Sequence, residues 1–252
     1  MRAKTAHIGA VCFDVGGTLL HMDPPPWVIF AEFCREFGVD VTPEQTFGAY
    51  ERSEPWFTAH RDLYLTSPEA FWVEGNRVLL EALSITEDLD HRAAVITAEF
   101  PRRMGGWKSY PEVPEILDTL RRRGLPLAVV SNWDPGLSNL LERLGLRDVF
   151  AVIISSAEVG VAKPNPGIFQ QAVRSLGVAP GETLHVGDLY DYDVVGARAA
   201  GLIPVLLDRS GQALVAAAMW TRDRPLDCLC ISDLWGLLPI IDGNIEAVGI
   251  SP

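Results

Sequence analysis

The sequence predicts an α/β fold, a doubly wound parallel sheet of Rossmann-like type carrying an inserted α-helical domain. Three observations predict it. Five short apolar runs recur along the chain, and they are continuous rather than alternating, as strands covered on both faces require. Amphipathic helical segments lie between the later runs, and each ends at a glycine. The stretch from Met22 to Gly106, after the first run, contains no strand-like apolar run at all.

The elements follow in order. Ile8 to Val15 reads as a buried strand ending in an acid, Asp14. Pro24-Pro25-Pro26 is a short rigid connector into the insert. The insert reads as helices over Trp27–Phe37, Pro43–Arg52, Pro68–Leu83 and Asp88–Met104. Its many aromatics, among them Trp27, Phe33, Trp56 and Phe71, read as helix-spaced core, with a few left to line a pocket. Glu112–Arg123 carries apolar residues at Val113, Ile116, Leu117 and Leu120, and Gly124 stops it. Strands then alternate with helices: Pro126–Val130, helix Pro135–Leu144, Ala151–Ile154, helix Pro166–Leu176, Thr183–Val186, helix Asp191–Ala200, and Ile203–Leu207. The expected domains are an α/β core over 1–21 and 107–252, and a helical domain over 22–106.

Composition narrows the class. The chain has 252 residues, with 21 basic against 33 acidic ones, for a net charge of −12. Such a field repels phosphate backbones, so no nucleic-acid partner is expected. A lysine, a helix N-terminus or a metal can still reverse it within one cleft. Four cysteines are too few for a disulfide scaffold, and each reads as structural. No segment suits a secretory signal or a membrane span, which leaves a soluble, cytoplasmic protein as the expectation.

In a doubly wound sheet, ligands sit beyond the C-terminal ends of the strands. Four polar clusters fall there: Asp14-Val15-Gly16-Gly17-Thr18, Ser131-Asn132-Trp133-Asp134, Lys163 before Pro164, and Gly187-Asp188-Leu189-Tyr190-Asp191-Tyr192-Asp193. Singly, each is ordinary turn or cap chemistry. Together they offer a carboxylate nucleophile, a hydroxyl, a fixed cation and a further set of acids. Phosphoryl transfer to an aspartate needs that set.

Val-Gly-Val-Ala-Lys-Pro-Asn-Pro-Gly-Ile-Phe around Lys163, followed by Val-Gly-Asp-Leu-Tyr-Asp-Tyr-Asp, resembles the haloacid dehalogenase superfamily, in the group with a helical cap after the first motif. The resemblance spans nearly the whole chain, with all four motifs in order. It implies hydrolysis of a small phosphorylated substrate through an aspartyl-phosphate, with Mg²⁺ as cofactor. It implies Asp14 as nucleophile, Ser131 as the hydroxyl bound to the phosphoryl group, and Lys163 as the neutralising cation. Thr18 and Asn132 are placed with the substrate. The implied metal ligands are Asp14, the carbonyl of Gly16, Asp188 and Asp193, with Asp191 a possible substitute for Asp193.

One position departs from the pattern. Phosphatases of this kind carry a second aspartate two residues after the nucleophile, where this chain has Gly16. The carbonyl survives, but the general acid–base does not, and such a group is worth about 10²–10⁴-fold. Good leaving groups are therefore expected to be preferred. His21 and His60 are nominal replacements, more readily explained as ordinary surface histidines. A catalytically impaired metal- and phosphate-binding or interaction protein is the competing reading. The dehalogenase branch also lacks the second aspartate, but it lacks the Gly-Asp metal motif too. Asp-Val-Gly-Gly-Thr resembles the phosphate loop of sugar kinases as well, a reading that leaves Lys163 and Asp188 unexplained.

Overall fold

The computed structural model describes residues 7–209 and 228–243. The polar start before His7, and 210–227 and 244–252 of the expected core domain, lie outside them. The chain divides into two compact units, one of residues 1–21 with 108–252 and one of residues 22–107.

The first unit is built on a six-stranded sheet. Strand β1 (Ala10–Phe13) lies inside it and is buried at every residue. The chain then forms the short strand β2 (Leu20–Asp23). After the insert come β3 (Gly106–Ser109), β4 (Leu127–Ser131), β5 (Val152–Ser155), β6 (Thr183–Gly187), β7 (Ile203–Leu207) and β8 (Leu229–Ile231). The large sheet has the order β5-β4-β1-β6-β7-β8. All of its pairings are parallel, so this is the doubly wound sheet the apolar runs require. Strand order reverses between β1 and β6, which makes their carboxyl ends the switch point where ligands bind in such sheets.

Sequence pattern explains the covering helices. Helix Val113–Arg122 buries Val113, Ile116, Leu117 and Leu120, one face of a 3.6-residue repeat. Helix Pro166–Leu176 starts on Asn165, whose side chain accepts from Gly167 N, and stops at Gly177, whose φ of 70° favours glycine. It packs Ile168, Phe169, Ala172 and Val173 into a core shared with Cys12, Ala128 and Ile154. The expected helix Asp191–Ala200 is in fact a π-helical turn, Tyr190–Val194, running into a short helix, Val195–Ala199.

The second unit is helical: Pro26–Glu36, Pro43–Ala59, Arg61–Thr66, Pro68–Ala82 and Leu89–Arg103. The second of these begins in a capping box between Thr42 and Gln45. It runs past Arg52, the expected end, and through Pro55. Trp56 and Phe57 beyond that proline both pack on Phe71, which rewards continuing the helix. The core of this unit is apolar and aromatic, with Ile29, Phe30, Phe33, Leu79, Leu80 and Ile96 at its centre.

Strands β2 and β3 pair as a separate two-stranded sheet where the chain passes from one unit to the other. The sequence pattern does not show them, being four residues each and half-exposed. All four cysteines are free thiols. Among the described residues, no helix is long and apolar enough to cross a membrane.

Candidate active site

Asp14 follows β1, Ser131 ends β4, and Asp188 follows β6. Lys163 comes from the turn between Gly160 and Pro166. The fold therefore brings four separate segments to the carboxyl edge of the sheet.

Lys163 is the hub. Its Nζ lies 2.5 Å from Asp14 Oδ1 and 2.6 Å from Asp193 Oδ1. Ser131 Oγ donates to the same Asp14 Oδ1 at 2.9 Å, so two donors fix the rotation of that carboxylate. Asp14, Asp188 and Asp193 each offer a carboxylate oxygen, and these atoms lie within 4.8 Å of one another. Asp191 is exposed and outside this group. The π-helical turn decides between the two acids, because it carries Asp193 inward to accept from Leu189 N at 3.1 Å. Asp193 Oδ1 also takes His185 Nε2 at 2.9 Å. Both oxygens of Asp193 are thus held by protein donors.

The electrostatics follow from burial and from this crowding. Burial, then the Asp14 and Asp193 charges, push Asp188 well above the usual carboxylate range. Burial also raises Asp14, although Lys163 pulls the other way. Burial would raise Asp193 too, but Lys163 and His185 outweigh it and hold its carboxyl below the ordinary range. Burial would lower Lys163, and the two acids reverse that, keeping the ammonium charged. Fully ionised, three carboxylates against one ammonium would carry two surplus negative charges, an excess that a divalent cation would offset. The donor set is oxygen only, which suits Mg²⁺.

Thr18 and Asn132, expected at the substrate, have their side chains engaged elsewhere. Thr18 Oγ1 donates to Asp188 Oδ1 at 3.3 Å and is fully buried. Asn132 brackets the Lys163 backbone, accepting from its N at 2.7 Å and donating to its O at 3.1 Å. Both hold the site's charged residues in place. Gly17 has φ 72°, and a Cβ there would collide with the Asp188 carboxylate. Gly16 is not among the positive-φ glycines. His21 packs on Tyr110 with ring centroids 4.9 Å apart. His60 belongs to the helical unit and stacks on Trp56 at 4.4 Å.

Other contributors carry no motif. Ser155 Oγ donates to the Trp133 and Asp134 carbonyls at 2.8 and 2.9 Å, which ties down the loop after Ser131. Arg209 donates to the Gly17 and Thr18 carbonyls at 3.3 and 2.8 Å. Its guanidinium lies 3.6 Å from the Tyr110 ring centroid and pairs with Glu112 at 2.6 Å. Arg209 thereby clamps the loop that follows the nucleophile. Its place just past β7 is the one signal that could have found it.

Residues 8–201 match the haloacid dehalogenase-like hydrolase family. Phosphoserine phosphatase of Thermus thermophilus is 40% identical over 216 residues, covering 78% of this chain and 87% of the relative. Human haloacid dehalogenase-like hydrolase domain-containing protein 3 is 32% identical over 208 residues, covering 79% and 82%. The magnesium-bound crystal structure of the HAD hydrolase YfnB from Bacillus subtilis shares the fold at a TM-score of 0.68 and 16% identity, covering 94% of this chain and 99% of that one. The chain belongs to the haloacid dehalogenase-like hydrolase family.

Proposed function

We propose that the protein is a Mg²⁺-dependent phosphatase that acts on a small phosphorylated metabolite through an aspartyl-phosphate on Asp14. The observation that carries the reading is the buried bridge Asp14–Lys163–Asp193, with Asp188 beside it, at the switch point of the sheet. A stability role alone explains it poorly, because gathering three carboxylates in a buried place is costly. The phosphoserine phosphatase relative supports the same class of reaction.

Asp14, Asp188 and the carbonyl of Gly16 would hold the cation, and Asp193, both of whose oxygens are taken, would serve Lys163 instead. When bound, Mg²⁺ supplies charge neutralisation at the phosphoryl oxygens.

The chain's own residues do the rest. Ser131 and Lys163 orient the Asp14 carboxylate, which attacks phosphorus as the bond to the leaving oxygen breaks. Lys163 offsets the negative charge gathering between nucleophile and phosphoryl group. The leaving oxygen departs with the bonding electron pair and takes its proton from water, since position 16 carries no acid. A water molecule then attacks phosphorus, frees Asp14 and gives its proton to solvent. Without a general acid, the first step favours acyl and aryl phosphates, whose leaving groups need no proton. The helical unit 22–107 is the proposed cap that selects the substrate.

The test is phosphate release from a panel of acyl, aryl, sugar and alkyl phosphates, with and without Mg²⁺. Turnover of the activated esters that needs Mg²⁺ supports the reading. Binding of phosphate analogues with no turnover of any ester favours the impaired relative.

A further inference from the structure

We infer that His185 is a positioning residue for Lys163, acting through Asp193. The inference rests on the phosphatase reading and deepens it. His185 sits in the interior of β6, fully buried, in register with Cys12 of β1 on one side and Pro204 of β7 on the other. A strand inside a parallel sheet covered on both faces is ordinarily apolar, as its neighbours Leu184 and Val186 are.

The ring's two nitrogens have opposite fates. Nε2 lies 2.9 Å from Asp193 Oδ1, and a carboxylate only accepts, so Nε2 carries the hydrogen and donates it. Nδ1 is buried with no hydrogen-bond partner among the described residues. Phe169 meets the ring edge-on, with centroids 4.8 Å apart at 85°, and holds its orientation. An apolar side chain of the same size would cost less on the Nδ1 side. What the histidine adds is the contact to Asp193.

That contact reaches the oxygen on which Lys163 Nζ sits at 2.6 Å, while Leu189 N holds the other oxygen at 3.1 Å. With His185 in place, Asp193 is anchored at both ends. The ammonium between Asp193 and Asp14 is then set relative to the nucleophile, 2.5 Å from Asp14 Oδ1. Without the donor, Oδ1 keeps only the ammonium it positions, and Leu189 N is the one remaining fixed anchor of the carboxylate, so the ammonium is held less sharply against the nucleophile.

The test compares His185→Met, similar in length but without a donor, with His185→Gln, which keeps an N–H. kcat and KM are measured with Mg²⁺ on the best substrate of the wild-type protein, below the melting temperature of each variant. The Met variant should lose about 10–100-fold in kcat with KM changed by less than about threefold, and the Gln variant should recover most of the loss. A Met variant with wild-type kcat, a change in KM alone, or a Gln variant as impaired as Met would overturn the inference. If the Met variant does not fold, His185→Leu against His185→Asn makes the same comparison. A wild-type protein that hydrolyses no phosphate ester overturns the phosphatase reading and this inference with it. An active wild type with an unimpaired Met variant overturns the inference alone.

Discussion

Replacing Lys163 with methionine keeps most of the side chain's reach and removes its charge and donors. Nζ lies 2.5 Å from Asp14 and 2.6 Å from Asp193, and the three side chains are only 3%, 9% and 1% exposed. At an effective dielectric of about 20, each contact of that length is worth roughly 6–7 kcal/mol before desolvation. Desolvation takes back several kcal/mol per ion, and removing one partner of a buried pair costs about 3–5 kcal/mol net. For a chain of this size that lowers Tm by roughly 10 °C. In the variant the pull of Lys163 is gone from both acids: burial and the Asp193 charge raise Asp14 further above the ordinary value of about 4, and Asp193 rises from its lowered value with His185 still opposing burial. An acid whose pKa is raised by folding costs stability as pH rises from its unfolded value through its folded one. Wild-type Asp193 is lowered instead, so it contributes stability above about pH 4 and loses it only as pH falls through the lowered value. The gap in Tm between the two proteins should therefore already be present near pH 4–5 and widen as pH rises toward neutrality. Thermal melts followed by circular dichroism, without metal, measure it. A gap under about 2 °C at pH 7.5, or one that narrows as pH rises, would refute the reasoning.

Gly16→Asp is compatible with the backbone conformation, because Gly16 does not sit at positive φ. It should raise turnover of alkyl phosphates by up to about 10²–10⁴-fold and leave aryl phosphates nearly unchanged, as read from rate against leaving-group pKa. Equal slopes for both proteins would mean that another group already serves as the acid. Asp188→Ala should weaken Mg²⁺ binding by at least about 100-fold in calorimetric titration, since even an indirect partner is worth 10–100-fold. Burial and the two neighbouring acids raise the Asp188 carboxyl, so protons compete with the cation and wild-type affinity should climb as pH rises. Unchanged affinity in the variant would remove Asp188 from the metal site.

Five of the six strands of the sheet were legible because they write unbroken apolar runs, whereas β8, three residues long and only partly buried, was not. Ile203–Leu207 and helix Pro166–Leu176 have the bounds the pattern expects. The ribbon of β2 and β3 was not legible, because Leu20-His21-Met22-Asp23 and Gly106-Trp107-Lys108-Ser109 bury little and carry no apolar run. The acids were visible as residues ending apolar runs, but the choice of Asp193 over Asp191 depends on a π-helical turn that no periodicity announces. Thr18 and Asn132 were visible as polar residues beside the nucleophile and the hydroxyl. Their side chains turn to Asp188 and Lys163, a matter of tertiary geometry. Arg209 acts from 191 and 192 residues away in sequence on the carbonyls of Thr18 and Gly17, and spacing cannot show that. His185 interrupts an apolar run, and that interruption is the sequence-level trace of the Asp193 contact.

The central claim is that Asp14 becomes phosphorylated in a Mg²⁺-dependent turnover. Acetyl phosphate or an aryl phosphate, supplied with Mg²⁺ to the wild-type protein and to Asp14→Asn, tests it directly, with phosphate release and rapid-quench mass spectrometry as readouts. The account predicts steady release and a transient mass gain of one phosphoryl group on the peptide containing Asp14 in the wild type, and neither in Asp14→Asn nor without Mg²⁺. Release that survives in Asp14→Asn, or a phosphoryl group on another residue, would contradict it.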